Sequence, residues 1–277
     1  MTTPPAPDGT PLFDVDVPMP RPPVEQLLAL AGLYTRHNDR IDLLLSCLAP
    51  ADPDAYVSSA PLLEHRSLAC VRTVRQQRPP RIEPVLSAVV RLQQIAYLTS
   101  SATRYLASAQ QAAPPDLAPG APPDPRRAFG RSVRLSRELT ALAAPAIVES
   151  ATHIAGRLPA AARARTTVPG TDRAQRDALL HVARGHVVVT GRYERTSHDR
   201  TVAAGTDVLR HLDAQGLVDR DPDSAFPSTP RGTPHDRVRL TPLGLAVLST
   251  LIVTPLPTPV PAPRPVASPA PATRARR

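Results

Sequence analysis

The chain contains no lysine and no tryptophan, and only three Phe and five Tyr among its 277 residues. With so few aromatic rings, a core has to be assembled from Leu, Val, Ile and Ala, which suits helix packing better than a β-sandwich. The same scarcity disfavours a single-strand nucleic-acid binder, which stacks bases on aromatic platforms. The missing lysine removes the phosphate-binding loop of nucleotide hydrolases, whose motif ends on that residue. Cysteine is nearly absent too. Cys47 and Cys70 lie far apart with no metal-ligand spacing, and read as small apolar side chains in a reducing compartment. No apolar run approaches the ~18 residues of a membrane span. The opening Met1-Thr-Thr-Pro-Pro-Ala-Pro-Asp8 has neither the basic nor the apolar region of a secretion signal. These absences together predict a cytoplasmic protein with no membrane partner.

What is present in quantity is Arg and Pro. All 33 basic residues are Arg, the net charge is +9, and 36 residues are Pro. The charge is compatible with a polyanionic partner, and a GC-rich coding sequence would enrich Arg equally well. Proline is concentrated in tracts. Residues 1–22 and 254–277 read as disordered arms, the second ending Arg274-Ala-Arg-Arg277, and 112–125 reads as an extended linker.

Between the tracts the apolar spacing is helical. Leu27, Leu30, Ala31, Tyr34, Ile41, Leu44, Leu45 and Leu48 mark a helix over 24–48. His37 and Asn38 stand where an apolar residue is missing, which suggests a buried polar contact. A second helix is expected over 61–77, with Leu62, Leu63, Leu68, Ala69 and Val71 inward. A third is expected over 84–111, with Leu86, Val89, Val90, Leu92, Gln93, Tyr97 and Leu98 on its inner side. A fourth should run over 125–158, kinked at Pro145, along Phe129, Val133, Leu139, Ala143, Ile147 and Ile154. Its first turns carry Arg127, Arg131, Arg134 and Arg137 on one side, in the densest basic region of the foldable chain. Residues 23–165 therefore predict a helical bundle.

Residues 171–253 carry a different pattern. A helix over 172–183 is followed by Gly185 as a C-cap and by the β-branched run His186-Val-Val-Val-Thr190. Thr201 is a suitable N-cap for a second helix, in which Val202, Val208, Leu209 and Leu212 face inward. That helix closes on Gly216-Leu217-Val218. A polar loop over 219–236 leads to the alternating Arg237-Val-Arg-Leu240, which breaks at Thr241-Pro242-Leu243-Gly244 into an apolar helix over 243–253.

This succession resembles a winged helix-turn-helix DNA-binding domain, in which Val208 to Val218 match the recognition helix and first wing strand. The resemblance covers under a third of the chain. It implies a mainly α protein, an N-terminal helical bundle followed by a winged helix with a small β-wing. It also implies double-stranded DNA as partner, with the exposed face of the second helix in the major groove and the wing on phosphates. Carried onto this sequence, Thr206, Asp207 and Arg210 become the base-edge candidates. Arg192, Arg195, Arg200, Arg231, Arg237 and Arg239 become the phosphate candidates.

Against this, residues 171–253 hold eleven Arg and ten acidic residues. Phosphate neutralisation supplies most non-specific affinity, so a winged helix that contacts protein in place of DNA is the alternative. No enzyme is expected. The eight His are scattered, the glycines form no nucleotide loop, and no carboxylates pair at catalytic spacing. No cofactor or metal is expected either. The Leu-rich helices and the twofold habit of helix-turn-helix proteins predict a homodimer through the N-terminal part, in a transcriptional regulator or DNA-associated accessory protein.

Overall fold

The computed structural model describes residues 21–46, 53–112, 123–159, 171–190, 194–195, 205–225 and 235–253. Residues 1–20, the 254–277 arm, most of the 112–125 linker, Cys47 and Thr201 lie outside these residues, and the helix expected from Thr201 starts at Thr206, with Gly205 as its N-cap. Five helices come first: α1 (Pro23–Leu45), α2 (Pro53–Gln76), α3 (Val85–Ala112), α4 (Pro123–Thr140) and α5 (Ala143–Ala155). The C-terminal part follows as α6 (Arg173–Ala183), β1 (Val188–Thr190), β2 (Glu194–Arg195), α7 (Thr206–Ala214), β3 (Val218–Ala225), β4 (His235–Leu240) and α8 (Pro242–Val253). The protein is mainly helical with one small antiparallel sheet, and among the described residues no helix is long and apolar enough to cross a membrane.

Helix α1 is the hub. Pro23 sits in its first turn, where the missing N–H has no intrahelical acceptor to lose. Its buried stripe, Leu27, Leu30, Ala31, Tyr34 and Ile41, follows the expected spacing. The Tyr34 hydroxyl is fully buried and bonds to Ser67 Oγ of α2 at 2.7 Å and Thr99 Oγ1 of α3 at 2.5 Å. The gap in the apolar stripe is filled as anticipated. Asn38 Nδ2 donates to the Thr140 carbonyl at 3.1 Å, and Thr140 Oγ1 donates to Asn38 Oδ1 at 2.6 Å, which fixes the end of α4 to α1. His37 Nδ1 meets Ser59 Oγ of α2 at 2.7 Å.

Several sequence expectations need correction here, among them Leu62 and Leu68 of α2, expected inward and found exposed. Helix α2 begins at Pro53, so Pro61 lies inside it, held by the burial of Ala60 and Leu63 on either side. The long fourth helix is two helices, and the break falls at Ala141–Leu142 ahead of Pro145. Pro145 occupies the first turn of α5, where proline is tolerated, and so it starts a helix instead of kinking one. Helix α3 is rotated from the expected face, keeping Leu92 buried and Val89 packed on the core. Val85, Ala88, Leu92, Ala96, Ala102, Leu106 and Ala109 are buried, while Leu86, Val90, Tyr97 and Leu98 are exposed. Small residues on the inner face let α3 lie close to its neighbours, and the bulkier ones are left outside.

In the C-terminal part, α6 starts with a reciprocal capping box. Gln175 N donates to Asp172 Oδ1 at 2.8 Å, and Asp172 N donates to Gln175 Oε1 at 3.1 Å. Gly185 and Gly216 both adopt positive φ at helix ends, as their positions suggested. The sheet order is β2-β1-β4-β3, with β4 pairing antiparallel to both β1 and β3. Strand β3 runs to Ala225, well into the stretch read as an acidic loop. Its charges are matched across the ladder: Asp219 stands opposite Arg239, and Asp221 opposite Arg237. One apolar core includes Leu27 of α1, Ile147 of α5, Leu179 of α6, Val189 of β1, Leu209 of α7 and Leu248 of α8. The two parts read as separate from the sequence thus share one interior.

Candidate nucleic-acid interface

Helix α7 is positioned by its inner side. Leu209 and Leu212 are fully buried, and the chain leaves the helix through Gly216 into β3. Gly216 and Leu217 are then fixed from behind. Thr241 N donates to the Leu217 carbonyl at 3.1 Å, and Thr241 Oγ1 donates to the Gly216 carbonyl at 2.7 Å. The same Thr241 Oγ1 accepts from Gly244 N at 3.0 Å, so Thr241 caps α8 while holding the end of α7. Gly244 is required by proximity, because a Cβ there would lie 1.9 Å from the Leu217 carbonyl oxygen. The Leu-Thr-Pro-Leu-Gly run from Leu240 is the joint that sets α7 against the sheet.

The outer side of α7 presents Asp207, Arg210, His211 and Asp213 to solvent, with Thr206 half-buried at its first turn. Arg210 Nη1 donates to Asp207 Oδ1 at 2.7 Å, an exposed pair one helical turn long. The three base-edge candidates thus lie together on one short surface. Two carboxylates share that surface with a single guanidinium.

The phosphate candidates divide. Arg192, Arg200 and Arg231 lie outside the described residues. Arg195 is placed in β2, paired with Val189, and its side chain is outside the description. Arg237 and Arg239, expected on phosphates, are turned inward instead. Arg237 grips Asp39 of α1 with both prongs, Nε to Oδ2 at 3.1 Å and Nη2 to Oδ1 at 2.5 Å, and its Nη1 donates to the Gly185 carbonyl at 2.7 Å. Arg239 Nη2 donates to Asp39 Oδ2 at 3.0 Å, and its Nε to Asp221 Oδ2 at 2.5 Å. Asp39 is buried, its side chain only 5% exposed. Arg220 bonds to Asp236 on the neighbouring strand. Arg237 and Arg239 form a clamp between sheet and bundle.

Local pattern could not predict this clamp, because Asp39 lies 198 residues before Arg237. The one signal was an acid on the inward side of α1, beside the His37 and Asn38 gap. The basic face of α4 divides in the same way. Arg127, Arg131 and Arg134 are exposed and meet no carboxylate among the described residues, whereas Arg137 binds both oxygens of Asp42 at 2.8 and 2.9 Å. Elsewhere on α1, burial, aided by Arg137 and Arg40, pushes the His37 imidazole down to about 4. Burial raises the Cys70 thiol to about 11 despite the nearby Arg66, which fits a small apolar side chain. No group of acidic, His and Cys residues able to hold a metal ion occurs among the described residues.

No protein-family model, curated protein or solved structure matches the chain.

Proposed function

We propose that residues 171–253 are a winged helix and that the chain is a non-enzymatic DNA-binding regulator or DNA-associated accessory protein of the cytoplasm. The observation that carries this reading is the placement of α7. Its apolar side is sealed by Leu209 and Leu212, and its opposite side, with Asp207 and Arg210, stands open beside a β1-β4-β3 sheet. A helix held in that manner can enter a major groove with its first turns leading. Thr206, Asp207 and Arg210 would meet base edges. Arg192, Arg195, Arg200 and Arg231 would meet phosphates. Arg237 and Arg239 are assigned to holding the wing strand on α1. The exposed apolar residues Leu86, Val90 and Tyr97 of α3 support a homodimer, since an uncharged stripe is self-complementary across a twofold axis.

The test is fluorescence anisotropy of the full chain with labelled GC-rich duplexes over a range of salt. Binding whose logarithm falls linearly with log salt supports the reading. Absence of binding at micromolar protein and low salt overturns it. A protein-contact role for the same helix is the second reading. It is favoured by the commitment of Arg237 and Arg239 to Asp39 and by the acidic excess on the outer side of α7. Under that reading, changes to Asp207 and Asp213 would abolish capture of a protein partner and leave DNA binding at background.

A further inference from the structure

A cleft of about 640 Å³ opens between the N-terminal helices and the sheet, with walls from α1, α2, α6, β4 and α8. That volume falls within the ~300–1,000 Å³ of small-molecule sites. Its surface is mainly apolar, with Leu33 from α1, Leu240 from β4 and Leu245 from α8. Gly32 leaves the α1 wall bare, because a Cβ built there meets nothing within 4 Å. Cys70 adds a thiol that burial keeps uncharged. The charges in the lining are all of one sign. Four Arg and no Asp or Glu contribute to it. Two of the four are committed, Arg21 to Glu25 at 3.4 Å and Arg239 to Asp39 and Asp221. Arg36 and Arg66 are exposed, and neither meets a carboxylate among the described residues.

We propose that this cleft binds a small amphipathic anion, an apolar body carrying one carboxylate, sulfonate or phosphate group. The apolar body would cover Leu33, Leu240 and Leu245 beside the bare backbone of Gly32. The anionic group would take charge-assisted hydrogen bonds from Arg36 and Arg66, which stand on neighbouring helices. A cation finds no acceptor charge in the lining. A bare inorganic anion leaves the apolar walls wet. Because both halves of the molecule contribute walls, such a ligand binds only their assembled form and stabilises it by mass action. This inference is independent of whether α7 meets DNA.

The probe is 8-anilinonaphthalene-1-sulfonate, an aromatic sulfonate that brightens in a dry site, added to the full chain. Saturable brightening is expected, reversed by decanoate and not by decanol or inorganic phosphate. Arg36→Gln with Arg66→Gln should weaken binding by roughly tenfold or more, since charged hydrogen bonds are being lost. Both side chains are exposed, so the double variant should melt as the parent does. Gly32→Leu should fill the cleft and abolish brightening. Displacement by decanol as effective as by decanoate, unchanged affinity in either variant, or no saturable signal would each overturn the proposal.

Discussion

The arginines of β4 and the arginine of α7 carry the same group only a short way apart in sequence, and their surroundings are opposite. Arg237 and Arg239 are 15% and 12% exposed and share a buried carboxylate with a helix two hundred residues upstream. Arg210 is 55% exposed, and among the described residues it pairs with Asp207, itself almost entirely in solvent. The first pair is structural because burial raises the cost of leaving any member unpaired. The second is available, since an exposed ion pair is worth only ~0–1 kcal/mol and can be exchanged for another anion. Counting charges along 171–253 treats these residues alike. What separates them is the counter-ion each has already met.

The comparison breaks most visibly at Asp39. Among the described residues, Asp39→Ala leaves Arg237 with no carboxylate and Arg239 with Asp221 alone, and should cost about 3–5 kcal/mol. Urea unfolding monitored by far-UV circular dichroism measures it. Replacing Asp39, Arg237 and Arg239 together by apolar residues of similar volume should cost far less than Asp39→Ala alone. A single-variant loss no larger than that of Arg210→Ala would show that the clamp is not structural.

A pH scan tests another buried group of α1. The folded-state pKa of His37 is depressed to about 4 by burial, with Arg137 and Arg40 adding to the effect. The unfolded side chain titrates near ~6.5. Between those values the unfolded chain binds a proton that the folded chain refuses, so stability falls as pH drops from ~6.5 to ~4 and is unaffected by this group above that window. At 1.36 kcal/mol per unit, the loss is roughly 3 kcal/mol. His37→Gln should flatten the dependence. Equal slopes for the two proteins over that window would contradict the assignment.

At Gly244 the distinction is sharpened sterically. Gly244→Ala places a methyl against the Leu217 carbonyl, so the joint between α7 and α8 must open, at about 1–3 kcal/mol by analogy with overpacked cores. The Leu217–Thr241 hydrogen bond should weaken with it, which amide exchange at Thr241 would report. Ala at Gly32, where nothing lies within reach, is the matched control and should be neutral or stabilising.

Periodicity read the elements far better than it read their partners. The helices around Tyr34, Ile147 and Leu209 were legible because their apolar residues recur at helical spacing and all three are buried. Gly185 and Gly216 were legible because a left-handed helix end demands glycine, and the Thr241-Pro242 break was legible as a helix start. The orientation of α3 was not. Its sequence is apolar on two sides, and only the close approach of neighbouring helices selects the Ala-rich one. The start of β3 at Val218 was expected, but its length was not, because Asp219 and Asp221 are poor strand formers until Arg239 and Arg237 stand opposite them. For the candidate site, Thr206, Asp207 and Arg210 do share one surface. Arg237 and Arg239 do not join it, because the acid that neutralises them is remote in sequence.

The smallest effect on stability, and the most informative one on function, is expected at Arg210. Arg210→Ala removes an exposed pair with Asp207, so unfolding should shift by no more than ~0.5 kcal/mol. If α7 reads DNA, the same change should weaken binding to the preferred duplex by ~1–3 kcal/mol and relax preference at one base pair. Arg237→Ala should do the reverse, destabilising the fold while leaving the salt slope of the surviving folded protein unchanged, because its charge is already neutralised by Asp39. Anisotropy titrations on both variants, at a temperature where each is folded, decide the matter. An Arg210→Ala protein that binds every duplex as the parent does would detach α7 from DNA. It would leave its acidic outer side as a surface for a basic protein partner.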